Sequence, residues 1–100
     1  MPHPKNGLEG HRLRIDEIDE QILELLSERG KVAQNVIRTK VENQLPVFVP
    51  KREEEKTEAF KQKAIEKGID PEWAEDFLRM IMTASRATQS QMRFPIATPE

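Results

Sequence analysis

The chain reads as an all-α protein, with three helices per protomer, the first of them long, paired into an intertwined homodimeric helical bundle. Apolar residues recur at helical intervals rather than alternating as they would along a strand. Prolines and glycines fall between the periodic runs, where they start or stop helices. The first run is also too long to be covered within a domain of 100 residues.

From Leu8 to about Glu42 no proline interrupts the chain, and Leu8, Ile15, Ile18, Ile22, Leu25, Val32, Val36 and Ile37 repeat by threes, fours and sevens. That is helical periodicity with a near-heptad rhythm. The segment Asn43-Gln44-Leu45-Pro46 ends the helix, because proline disfavours helical geometry in the residue before it. Val47-Phe48-Val49 is too short for a useful strand and reads as a link. Pro50 suits the first turn of a second helix, where its missing N–H is no loss. That helix runs to about Lys67, with Gly68 as its left-handed stop. Asp70-Pro71-Glu72 supplies an N-cap, an N1 proline and a first-turn acid for the third helix. The third helix is expected to turn Trp73, Phe77, Met80, Ile81 and Ala84 toward a core and to fade between Gln91 and Phe94. Residues 1–7 read as a disordered segment, 8–93 as one folded domain, and 94–100 as a tail or linker.

A straight helix of that length measures about 52 Å at 1.5 Å per residue, whereas a compact domain of this size has a radius of gyration of about 13 Å. The first helix must project, and its apolar stripe needs a cover that two shorter helices cannot supply end to end. A second copy related by twofold symmetry is the economical solution. A kink at Gly30 that folds the helix into a hairpin is the competing reading, but no second breaker accompanies that glycine.

Sixteen basic and eighteen acidic residues leave a formal charge of −2, which offers no global attraction for nucleic acid. The chain has no cysteine, so disulfides and thiolate metal sites are excluded. His3 and His11 lack ligand spacing, and surface placement is the expectation for both. No apolar run approaches the roughly 20 residues needed to span a bilayer, and the N-terminal residues lack the apolar core of a signal peptide. These features point to a soluble, cytoplasmic protein.

Charges stand where the core stripes should continue. After Ile15, Ile18, Ile22 and Leu25 the next stripe position is Arg29, and a cation there costs free energy unless an anion meets it. Lys40 follows eleven residues later, within about 20° of Arg29 around the helix axis. Arg12 precedes Arg29 by seventeen residues, about 25 Å along the axis. It cannot share a pocket with Arg29 of its own chain, but a symmetry-related helix could bring its copy there. On the third helix the stripe Leu78, Ile81, Met82 runs into Ser85 and Gln89, an i, i+4 pair. Arg52 and Glu53 occupy the first turn of the second helix. Such a pocket, with cations, one carboxylate and neutral donors, suits a small dianion that carries a hydroxyl.

Each residue also has a plain structural reading. Arg29 could snorkel toward a glutamate, Lys40 could complement its helix dipole, and Arg52-Glu53 in a charge-rich run could be a solvated face. Periodicity alone leaves both readings open.

From Arg12 to Gln89 the chain resembles the AroQ class of chorismate mutases. The matching stretches are Arg12, the run from Ile18 to Arg29, Lys40, Leu45-Pro46-Val47, Pro50-Lys51-Arg52-Glu53, and Ser85 with Gln89. The link Leu45–Pro50 is most similar to that of mutase domains fused to prephenate dehydrogenases. The resemblance implies a three-helix protomer, two sites per dimer, chorismate and prephenate as ligands, and no cofactor. It implies that Arg29 binds one substrate carboxylate and the partner's Arg12 another, and that Lys40 and Gln89 donate to the ether oxygen. It further implies that Arg52 lines the site, that Glu53 accepts from the ring hydroxyl, and that Ser85 contacts a carboxylate. Some relatives carry aspartate where this chain has Val49. In the dehydrogenase-fused group glutamate can replace Gln89 and must be protonated to donate; glutamine here implies turnover that persists to mildly alkaline pH.

Two rivals accompany this reading. An isochorismate–pyruvate lyase shares the fold and the cationic positions, but Glu53 argues for the mutase. A non-enzymatic helical dimerisation module explains the long helix but leaves Arg29, Lys40 and Gln89 unexplained. The tail from Phe94 to Glu100 could be a natural end or a cut linker to another enzyme domain.

Overall fold

The computed structural model describes residues 7–91, with side chains through Arg86, and contains three helices: α1 (Leu8–Glu42), α2 (Pro50–Glu66) and α3 (Pro71–Gln91). No strand occurs among the described residues. The expected segments 1–7 and 94–100 lie almost wholly outside them, and Gly7 is described only as the N-cap of α1, with φ 76°. None of the helices described is long and apolar enough to cross a membrane.

Helix α1 passes through Gly30 without a break. A lone glycine weakens a helix interior by only about 1 kcal/mol relative to alanine, so the hairpin reading is not realised. Gly30 is also the one described residue of α1 that is buried. The C-terminus of α1 closes in a Schellman arrangement: the Leu45 amide donates to the Lys40 carbonyl (2.8 Å) and the Gln44 amide to the Val41 carbonyl (3.1 Å). The left-handed position is filled by Gln44 at φ 58°, where glycine would be unstrained. The end of α2 uses the same closure with the expected residue. Gly68 has φ 75°, and the Ile69 amide donates to the Ala64 carbonyl at 2.8 Å. Asp70 caps α3 by accepting from the Glu72 amide at 2.9 Å.

Helices α2 and α3 form an antiparallel hairpin around a small core of Ala64, Ala74, Leu78 and Met82, with Thr57 buried beside them. Lys61 spans the hairpin to Glu75 (3.3 Å) and Glu72 (3.6 Å), and Arg79 pairs with Glu75 at 2.8 Å. Trp73 and Met80, expected in the core, are 59% and 63% exposed. Helix α3 carries two neighbouring apolar stripes. The one containing Ala74, Leu78 and Met82 packs inward, while Trp73 and Met80 lie on the other. Trp73 stacks on Phe77 with ring centroids 5.5 Å apart.

Helix α1 meets the rest of the fold through α3, and its N-terminal half packs on no other element among the described residues. The protomer is accordingly elongated, 61 × 36 × 17 Å with a radius of gyration of 17.7 Å, against about 13 Å for a compact chain of this length. Ile15, Ile18, Ile22 and Leu25 are all exposed on the projecting part.

The strained closure of α1 provides a direct check. Gln44→Gly is expected to stabilise the protein by about 0.5–1 kcal/mol by removing the left-handed penalty, read as a higher urea midpoint with unchanged slope. A lower midpoint would mean that the glutamine side chain holds the turn.

Candidate active site

Where the C-terminal half of α1, the first turns of α2 and the far end of α3 meet, they enclose a cleft of about 400 Å³. Such a volume accommodates a small metabolite. From α1 come Arg29 and Lys40, separated by Val32, Val36 and Ile37; from α2, Arg52 and Glu53; from α3, Met82 and Ser85. The structure thus brings together Arg29, Lys40, Arg52, Glu53 and Ser85. Val49 lines the same cleft. Arg12 is exposed on the projecting half of α1 and is not among the residues that line this cleft. Gln89 falls within α3, one turn beyond Ser85, and its side chain lies outside the described residues.

Local geometry explains each placement. Arg29 and Lys40 share a face of α1 because their separation is almost a whole number of turns. Burial pushes the Arg29 guanidinium below its ordinary value, as expected of a cation partly withdrawn from water. Lys40 is half-buried, and its Nζ donates to the Val47 carbonyl at 3.3 Å. Since the Lys40 carbonyl also accepts from Leu45, this residue pins the α1–α2 link at two points. The Nζ bond is long, and a ligand oxygen could replace it at little cost. The Ser85 hydroxyl donates to the Ile81 carbonyl at 3.1 Å, which leaves its lone pairs available.

Two lining residues were missed by the sequence reading. Arg86 follows Ser85 on α3, pairs with Glu53, and lies over the Phe48 ring with its guanidinium carbon 4.6 Å from the centroid. It ties the link, α2 and α3 together and engages Oε2 of Glu53. The second oxygen, Oε1, retains the capacity to accept a further hydrogen bond. Lys56 stands one turn after Arg52 on α2 and also lines the cleft. Its spacing from Arg52 was the available signal, but in the run Lys51–Lys56 every face of the helix carries charge.

A depression along α1 between Leu13 and Leu23 is formed by that helix alone and is rimmed by Asp16, Glu17, Asp19 and Glu20. It has neither the walls nor the cations of the three-helix cleft.

The profile of the family described as chorismate mutase type II matches residues 11–90, the stretch that builds the cleft and all three helices. The chain belongs to that family. Among curated members, the T-protein of Enterobacter agglomerans is 32% identical over 89 residues, covering 89% of this chain and 24% of that protein. The bifunctional chorismate mutase/prephenate dehydratase of Pseudomonas aeruginosa is 37% identical over 102 residues, covering 96% of this chain and 27% of that protein. The chorismate mutase of Methanocaldococcus jannaschii is 29% identical over 80 residues, covering 80% of this chain and 81% of that protein. The chain therefore spans about a quarter of the longer type II relatives and most of the short one. No solved structure matches.

Proposed function

We propose that the protein is a chorismate mutase, rearranging chorismate to prephenate in a cleft completed by a second copy of the chain. The observation that carries the reading is the meeting of Arg29, Lys40, Arg52, Glu53 and Ser85, drawn from three helices, around one cavity of metabolite size. Its excess of positive charge suits a dicarboxylate.

The reaction is an intramolecular Claisen rearrangement. The ether C–O bond breaks as a new C–C bond forms, and no proton or electron is exchanged with the protein. The protein's tasks are to hold the reactive chair conformer and to stabilise negative charge building on the ether oxygen. In this reading Arg29 binds one carboxylate and the partner's Arg12 the other, which fixes the two reacting arms. Lys40 exchanges its bond to Val47 for one to the ether oxygen, and Gln89 supplies the second donor. Glu53, steadied by Arg86 through Oε2, accepts from the ring hydroxyl through Oε1. Arg52 adds positive potential, and Ser85 contacts a carboxylate. These dipoles and charges are in place before the reaction starts, so little reorganisation opposes the transition state.

The second copy is supported by the projecting half of α1. Its Ile15, Ile18, Ile22 and Leu25 are left exposed by the other described residues, and Arg12 sits on that half, remote from its own Arg29. An antiparallel pairing of α1 helices covers the stripe and carries each Arg12 toward the other protomer's cleft.

Purified protein assayed with chorismate and isochorismate in parallel is expected to consume chorismate and release prephenate. Pyruvate release from isochorismate with chorismate untouched would favour the lyase instead. Lys40→Ala and Gln89→Ala are each expected to lower kcat by about 10²–10³ with helical circular dichroism retained. Near-normal turnover in either variant removes its assigned role.

Mixing tests the shared site. Arg12→Ala and Lys40→Ala proteins, each nearly inactive alone, are unfolded together and refolded. Hybrid dimers then contain one site with both residues intact, and activity returns to about a quarter of the parent value on random pairing. No recovery, with dimers confirmed, would place Arg12 outside the partner's site.

A further inference from the structure

Taken together, the cleft's lining holds more positive charge than two carboxylates require. Arg29 and Lys40 face it from α1, Arg52 and Lys56 from α2 and Arg86 from α3, against the single carboxylate of Glu53 among the described residues. Arg86 is committed to Glu53 and Phe48, and Arg29, Lys40 and Arg52 already have places in the proposed reaction. Lys56 has none. It follows Arg52 by one turn on the same helix, lines the cleft from an exposed position, and among the described residues the anion that acts on its ammonium is Glu53, which Arg86 already holds.

We propose that Lys56 is an affinity-determining residue of this cleft: a surplus cation, held near Arg29, Arg52 and Lys40, whose charge strengthens binding of a doubly negative ligand. The inference rests on the chorismate mutase reading and adds a residue to it. The crowding is visible in the cleft's electrostatics. The Lys56 ammonium is pushed below the ordinary lysine value, first by desolvation and then by Arg29, Arg52 and Lys40, with Glu53 opposing. The folded chain therefore releases this proton more readily than the unfolded chain. The penalty is fully present at low pH and is relieved as pH rises through the folded value toward the unfolded one, so ligand-free stability rises across that window. A bound dianion acts in the opposite direction, favouring the charged ammonium. Affinity should fall as Lys56 loses its proton, while kcat, set by Lys40 and Gln89 at the ether oxygen, holds.

The test compares the parent with Lys56→Met and Lys56→Arg. The measurements are kcat and KM for chorismate against pH, the Kd of an oxabicyclic dicarboxylate by calorimetry, and the ligand-free melting midpoint. Lys56→Met is expected to raise KM and Kd at neutral pH by about tenfold, to change kcat by less than about threefold, and to raise the ligand-free midpoint. Lys56→Arg keeps its charge at every accessible pH and is expected to bind as the parent does at neutral pH, without the parent's alkaline rise in KM. A Lys56→Met protein with parental KM and Kd overturns the inference, as does one whose midpoint falls, since the side chain would then be structural. An alkaline rise in KM that begins at the same pH in Lys56→Arg as in the parent overturns it too. A parent that neither turns over chorismate nor binds the dicarboxylate sinks the functional reading itself, and the inference with it.

Discussion

Like charges gathered around one half-open cleft are the constraint on which the rest of this structure turns. Arg29, Lys40, Arg52, Lys56 and Arg86 border one cleft, with Glu53 as the single opposing carboxylate among the described residues. Such a cluster costs free energy in the absence of a ligand. It persists because each cation is anchored by something other than the cleft. Arg29 and Lys40 are fixed by the register of a continuous helix. Arg86 is held by Glu53 and the face of Phe48, and Arg52 and Lys56 stand on the first turns of α2. On the proposed reading, the repulsion among these cations becomes attraction toward an entering dianion.

The architecture follows from the same requirement. No single helix of a small domain can surround a ligand, so the walls come from three. The α2–α3 hairpin is compact because its core uses small residues, Ala64 and Ala74, beside Leu78 and Met82. That core presents Met82 and Ser85 to the cleft. Helix α1 contributes one half of its length to the cleft, and on the proposed reading the other half, with its apolar stripe and Arg12, serves a second molecule. In this account dimerisation and catalysis are one arrangement, since the segment that buries the stripe also delivers the missing cation.

Much of this was legible in the sequence, for identifiable reasons. The helix limits came from residues whose backbone preferences are strong: Pro50, Gly68 and the Asp70-Pro71 pair. Arg29 and Lys40 were legible because an apolar stripe makes an interrupting charge conspicuous. Lys56 and Arg86 were hidden because they sit among other charges and beside Ser85, and only the packing of α2 on α3 shows which face is inward. Trp73 and Met80 were misread because large apolar side chains attract attention, whereas the tight hairpin selected the stripe containing alanine. Gln44 in a left-handed turn was invisible, since nothing in its composition marks it as a glycine substitute.

The central claim is that cations from two chains close around one small, doubly negative ligand. An experimental structure of the dimer with the oxabicyclic dicarboxylate bound tests it most directly. The account predicts the ligand in the three-helix cleft, one carboxylate on Arg29, the other on the partner's Arg12, and Lys40 turned from Val47 to the ether oxygen. A ligand bound elsewhere, or a partner's Arg12 remote from an occupied cleft, would contradict it.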